Sequence, residues 1–256
     1  MLSPGQTTHG ASTLPHYSLF HIRGIMRTLV LLIIMTGLGW MSLPWLKQHL
    51  PPQFNPFTPL SVTDPPGWMT RLKIKRLQND PAACLDVMRR AEQAGRVSFS
   101  QQPAIAGQCP LAQPLRVQKM GAVSLSSSFL ASCPMAVAAT LYVVHSSQQI
   151  LQQSGTRLVG IEHVGSYACR NIYHRTQGRL SEHATADAWD ITAYRLANGQ
   201  RLVVSQHWQQ PEEKALLLHG LWRTGCHFFG NALGPDYNTA HATHFHFGMR
   251  GAGYCR

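Results

Sequence analysis

The sequence predicts an α+β domain, a small antiparallel sheet packed on helices, preceded by one N-terminal transmembrane helix. Three observations predict it. Thr28 to Leu46 carries no charged side chain, and its length approaches the ~20 apolar residues that cross a hydrocarbon core. Behind it, capped helical stretches interleave with β-rich runs but lack a βαβ rhythm, which argues against a doubly wound sheet. Asn198-Gly199, set between runs of β-branched and aromatic residues, reads as a two-residue hairpin turn.

Residues 1 to 27 are rich in Ser, Thr, His and Gly and show no periodicity, so they read as an unstructured cytoplasmic tail. Met26 stands as an alternative start to Met1. Arg23 and Arg27 precede the apolar run and Lys47 follows it, a bias that favours a cytoplasmic N-terminus. No small-x-small cleavage site precedes Trp40 and Trp45, so residues 28 to 46 are read as a retained, single-pass signal anchor in the inner (cytoplasmic) membrane. The C-terminal domain then lies in the periplasm.

Residues 47 to 79 read as a Pro-rich and basic linker. The prolines from Pro51 to Pro59 imply a stiff, extended spacer. The basic run Arg71 to Arg76 suits a surface that hugs anionic lipid, or a solvated strand edge protected by lysine; the strand edge is favoured.

Residues 80 to 256 are enough for one domain with a real core. Asp80-Pro81 supplies an N-cap and an N1 proline for a helix running to Gly95. Ser132 and Pro134 open a second helix that ends near Gly155. Pro211-Glu212-Glu213 opens a third, stopped by Gly234-Pro235. Strands are expected at Leu158 to Val164, in the hairpin arms Asp190 to Leu196 and Gln200 to Val204, and around His244.

The formal charge of +11 suits an anionic partner such as a cell wall or membrane surface. Nucleic acid is excluded as a partner, because no recognised binding module or aromatic-basic pattern is present. All 6 cysteines follow the apolar run, and none forms a Cys-x-x-Cys pair. Cys84, Cys109, Cys133, Cys169, Cys226 and Cys255 are therefore disulfide candidates in an oxidising compartment, with buried thiols as the alternative. A Cys226–Cys255 bridge would clamp the C-terminal tail to the last helix.

Two segments carry the chemistry. Ser181 to Asp190 reads SEHATADAWD, and His241 to His246 reads HATHFH. Together they offer imidazole nitrogens and a carboxylate oxygen, the donors of a catalytic zinc site with three protein ligands. In His244-Phe245-His246-Phe247 the imidazoles share one face of a strand and the phenyl rings the other. Among 14 histidines a lone His-x-His is more often structural; the Ser-x-His with Asp190 downstream is what singles this one out.

Ser181-x-His183-x-x-Ala186-x-Ala188-x-Asp190 resembles the Ser-x-His-x-x-Gly-x-Ala-x-Asp signature of the LAS zinc peptidases, which include D-alanyl-D-alanine carboxypeptidases and penicillin-insensitive murein endopeptidases. His241-x-x-His244-x-His246 is similar to the closing motif of the endopeptidase branch. The wider chain, roughly residues 80 to 256, resembles the bacterial extensin-like C-terminal domain through Ser166 to Arg170, Ser181 to Asp190, Leu233 to Asn238 and Cys255-Arg256. One position departs: Ala186 stands where the peptidase signature has Gly, a change that matters only if the backbone there needs positive φ.

The resemblance implies a LAS-peptidase-like fold with a metal cleft across the sheet. It implies His183, Asp190 and His246 as zinc ligands. The carboxypeptidase branch has a Glu where this chain has Thr243, so His244 or His241 is left to handle the proton. Arg170 is implied as a substrate-binding fork, its alternative being an ordinary surface cation. Ser181 is read as steadying the ligand loop rather than as a nucleophile, and Glu182 and Asp187 as solvated loop carboxylates. The function expected is a membrane-anchored periplasmic zinc metallopeptidase cutting amide bonds in peptidoglycan stems or cross-links. A non-catalytic, metal-containing wall-binding or scaffold domain is the alternative.

Overall fold

The computed structural model describes residues 19–256, so most of the expected N-terminal tail lies outside the described residues. Helix α1 (Leu19–His49) forms one unit and the chain from Leu50 to Arg256 another. From Arg23 to His49, α1 is long and apolar enough to cross a membrane, a property it shares with signal sequences. The helix already runs at Leu19, the first described residue, ahead of the span expected from Thr28.

The second unit is mixed α and β. Its helices are α2 (Trp68–Leu77), α3 (Pro81–Gln93), α4 (Cys133–Ser154), the short α5 (Val204–His207) and α6 (Glu212–Phe228). The strands are β1 (Ser98–Gln101), β2 (Leu115–Lys119), β3 (Ser124–Leu125), β4 (Phe129–Ala131), β5 (Leu158–His163), β6 (Ala188–Leu196), β7 (Arg201–Val203), β8 (Asn231–Leu233), β9 (Phe245–Gly248) and β10 (Tyr254–Cys255). β1, β2 and β4 form a small antiparallel sheet. The main sheet has the order β10-β8-β9-β6-β5-β3, with β7 beside the far half of β6. It is mixed rather than purely antiparallel: β3 runs parallel to β5 and β10 parallel to β8. Strands of two residues give no alternation to read, which is why these edges escaped the sequence pattern.

The capped helices form as expected. Asp80 Oδ1 accepts from Ala83 N at 2.9 Å, and Ser132 Oγ accepts from Met135 N at 3.3 Å. Gly155, at φ +66°, closes α4 in the left-handed conformation. α6 stops at Phe228, before Gly234-Pro235, because Asn231–Leu233 is recruited into the sheet. Its close approach to that sheet needs Gly225: a Cβ there would lie 2.2 Å from Phe247 Cε1.

The stretch read as a linker folds instead onto the domain. Leu60, Val62, Ile74 and Leu77 join the main core. The basic run is not a strand edge; it lies in α2, which packs on α4 and α6 and leaves Lys75 and Arg76 exposed. Lys73 is buried there, its ammonium donating to Pro52 O at 2.9 Å and Thr58 Oγ1 at 3.1 Å. Tertiary packing overrides the local signal: the helix presents Met69, Ile74 and Leu77 inward, and that apolar face is worth more than the exposed charges cost.

α4 is the central helix, flanked by α2, α3 and α6. The ring planes of Phe229 and Phe247 stack at 4.8 Å, and Trp189 stacks on Phe129 at 4.9 Å. The six cysteines pair as Cys84–Cys133, Cys109–Cys169 and Cys226–Cys255. The last ties α6 to β10, the clamp expected from sequence. All of this stiffens the layer beneath β6 and β9.

Candidate metal centre

β6 and β9 pair antiparallel, with Asp190 opposite His246, Trp189 opposite Phe247 and Ile191 opposite Phe245. Cross-strand partners share a face. The apolar pairs are fully buried in the core, so Asp190 and His246 must both project from the other side. There they meet His183, which arrives on a single 3₁₀ turn, Glu182–Thr185.

Local chemistry builds that turn. Ser181 Oγ accepts from His183 N at 3.3 Å, so Ser181 does steady the loop. Ala186 ends the turn at φ 54°, ψ 34°, the left-handed region a glycine would occupy without strain. Its carbonyl accepts from Ser132 N at 3.0 Å, and Ser132 Oγ donates to Asp187 Oδ1 at 2.5 Å, so the turn is anchored to the start of α4.

His183 Nε2 lies 3.1 Å from Asp190 Oδ2, and His246 Nδ1 lies 2.9 Å from Asp190 Oδ1. One donor atom from each of the three residues falls within 4.8 Å of the others, and all three residues are buried. The outward nitrogens have acceptors of their own. His183 Nδ1 donates to Ser166 O at 2.9 Å, which leaves the Nε2 lone pair turned inward. His246 Nε2 faces Glu182 Oε2 at 3.6 Å, which leaves Nδ1 inward. Two imidazoles and a carboxylate, with ring nitrogens held in this way, can hold a metal ion.

Asp190 and His246 hold each other in the charged form. Burial alone would raise the Asp190 carboxyl, but its bonds to His183 and His246 hold it well below the usual range. Burial would likewise lower His246, but Asp190 and Glu182 outweigh it and raise the imidazole to about 9.

The site floors a cleft of about 510 Å³ whose rim includes Arg170, Tyr173, Tyr237, His241, His244 and Arg250. His244 Nε2 points toward Asp190 Oδ1 at 3.7 Å. His241 Nδ1 donates to Asn238 Oδ1 at 2.7 Å, while the other end of that amide donates to Tyr173 OH at 3.1 Å. This arrangement leaves the lone pair of His241 on Nε2. Burial, then the neighbouring His246 and His244, lower His241 to about 4, so it stays neutral over the physiological range. Burial also lowers His244, with Asp190 pulling the other way. Tyr173 and His174 both take positive φ, 56° and 57°, on the rim. Arg170 lines the cleft near His244.

Two carboxylates depart from the solvated role expected of them. Glu182 is about nine-tenths buried, accepting from Arg250 N at 2.7 Å and Asn231 Nδ2 at 2.9 Å. Asp187 is held by Ser132, and burial raises its carboxyl. Arg250 itself donates to Leu180 O at 2.8 Å, bracing the ligand turn from the bend that follows β9. Asn231, Tyr173 and Arg250 carry no motif, and only the fold brings them here; Asn238 closes the Leu233 to Asn238 motif, but its part beside His241 is visible only in the fold. Glu182 had one signal: it immediately precedes a ligand.

Residues 82–256 match the family described as extensin-like protein C-terminus. The chain belongs to that family. The match begins inside α3, so the core residues Leu60 to Leu77 precede the matched part of this extensin-like domain. No curated protein and no solved structure matches the chain.

Proposed function

We propose that the extensin-like domain is a zinc peptidase hydrolysing amide bonds in the peptide stems or cross-links of peptidoglycan, held by residues 28–46 at the inner membrane with the domain in the periplasm. The observation that carries this reading is the buried His183–Asp190–His246 group at the floor of an open cleft. The signature resemblance to LAS peptidases supports it, as do three disulfides, which suit an oxidising compartment. Zinc is the metal assigned because two imidazoles and one carboxylate, set at the floor of an open cleft, match the donor set that a catalytic zinc prefers.

When bound, zinc supplies Lewis-acid polarisation of a carbonyl and activation of water near neutral pH. The chain does the rest. Arg170 offers its guanidinium fork to a substrate carbonyl or carboxylate and fixes the scissile amide over the cleft floor. Asn238 fixes the His241 tautomer, so Nε2 accepts a proton as water oxygen bonds to the carbonyl carbon. The same proton passes to the leaving nitrogen as the C–N bond breaks. His244, turned toward Asp190, steadies the charge that develops on the carbonyl oxygen.

A second reading has one observation in its favour. Thr243 stands exposed where the carboxypeptidase branch has its Glu, and the buried carboxylates Asp190 and Glu182 are both engaged with histidines. A metal-containing wall-binding or scaffold domain is consistent with that. One experiment separates the two. The full chain, purified in detergent under oxidising conditions, is assayed for bound metal and incubated with purified muropeptides with and without chelator. Stoichiometric zinc with chelator-sensitive cleavage supports the peptidase. A zinc-loaded protein inert toward every muropeptide selects the binding domain, and a protein that takes up no metal defeats both.

A further inference from the structure

We infer that Glu182 is a positioning residue for the third ligand, its carboxylate holding the His246 ring by Nε2 so that Nδ1 faces the metal. The inference rests on the metal reading above but not on turnover.

Burying an ionised carboxylate is costly unless it is paired and hydrogen-bonded, so the placement of Glu182 calls for a reason. Its side chain is 11% exposed. Oε1 accepts from Arg250 N at 2.7 Å, and Oε2 accepts from Asn231 Nδ2 at 2.9 Å. Those two bonds would suffice to staple the ligand turn to β8 and the end of β9. The same Oε2, however, is also turned to His246 Nε2 at 3.6 Å. Asn231 holds this oxygen in place, and Asn231 is itself fixed by donating to Arg250 O at 2.9 Å.

Space is reserved for the carboxylate as well. A Cβ on Gly248 would lie 2.6 Å from both Glu182 oxygens, so the strand carrying His246 ends in the one residue that admits them. Glu182 thus joins two ligand segments: it precedes His183 in the chain and faces His246 across the fold. His183 is oriented through its Nδ1 by a neutral carbonyl, that of Ser166, at 2.9 Å. His246 is oriented through its Nε2 by a charge. A carboxylate behind a ligating imidazole fixes the tautomer and raises the basicity of the ligating nitrogen.

The test uses the full chain in detergent micelles, stripped of metal and then titrated with zinc against a chromophoric chelator, with cobalt uptake followed by its visible bands. Glu182→Gln is expected to weaken zinc about 10- to 100-fold and to shift the cobalt bands, while the metal-free protein stays folded with a modestly lower melting temperature. Wild-type affinity and wild-type bands in Glu182→Gln would overturn the inference while leaving the metal reading intact. If that variant fails to fold, Asn231→Ala decides, since it loosens the same carboxylate without removing its charge. Where both fold, a larger affinity loss in Glu182→Gln than in Asn231→Ala supports positioning; equal losses reduce Glu182 to a staple and overturn it. A wild-type protein that takes up no zinc defeats the metal reading and this inference together.

Discussion

His246 Nδ1 lies 2.9 Å from Asp190 Oδ1 because the two residues are direct partners across the β6–β9 ladder. Two of the three candidate ligands are therefore placed by strand register rather than by loops. A one-residue slip would send both into the core, where Trp189 and Phe247 now sit. Asp190→Ala removes the central donor and leaves both imidazoles without their shared partner. The expected result is a fall of more than about 100-fold in zinc affinity, larger than removal of an outer partner. Metal analysis after dialysis checks it; retention of stoichiometric zinc would contradict the assignment of Asp190.

Metal-free protein should lose stability as the pH rises from neutral to alkaline. His246 is raised from 6.5 to about 9, so its contribution is complete below about 6.5 and is lost as the pH climbs through 9. Asp190 works at the other end: its carboxyl is held down, so its contribution is present above its ordinary range and is lost only in strong acid. Thermal melts of stripped protein from pH 5 to pH 10 should show the alkaline decline. A flat profile above neutrality would refute it.

Zinc uptake should release at least about one proton per ion near pH 7.5, because the His246 lone pair must be freed for the metal and an activated water would add a further fraction. Calorimetry in buffers of different ionisation enthalpy measures that number directly. A value near zero would mean that His246 is already neutral in the metal-free site.

Ala186→Gly should stabilise the protein. The wild-type methyl is held at φ 54°, where a non-glycine residue costs roughly 1–2 kcal/mol, while glycine returns about 0.5–1 kcal/mol to the unfolded chain. The net expectation is a gain of up to about 1 kcal/mol, read as a higher unfolding midpoint with an unchanged denaturant slope. Loss of stability would show that the buried methyl contributes more packing than strain.

Cys226→Ala with Cys255→Ala opens a bridge between residues separated by 29 positions. The chain-entropy account assigns such a loop about 3–4 kcal/mol. The double variant should unfold at correspondingly lower denaturant, and the wild type under reducing conditions should move in the same direction. Coincident transitions would show the clamp to be idle.

His241→Ala should lower muropeptide cleavage by about 100-fold or more while leaving zinc content near wild type. Equal cleavage by this variant, with loss in His244→Ala instead, would move proton transfer to His244.

The sequence by itself determined the helices capped by Asp80 and Ser132, the Asn198-Gly199 hairpin, the apolar helix before the domain and the residue types of the metal group. Each is a local signal: a cap, a turn dipeptide, a run without charge, a spacing of donors. It also marked Ala186 as the odd residue of its motif, though only the backbone shows that this position takes positive φ. Tertiary structure alone decided that residues 60–77 belong to the core, that β8 and β10 complete the sheet, and that Glu182 is buried between two ligand segments. Those features depend on partners far away in the chain. A solvated glutamate and one enclosed by Asn231, Arg250 and His246 carry the same letter, and what distinguishes them is the desolvation that folding imposes.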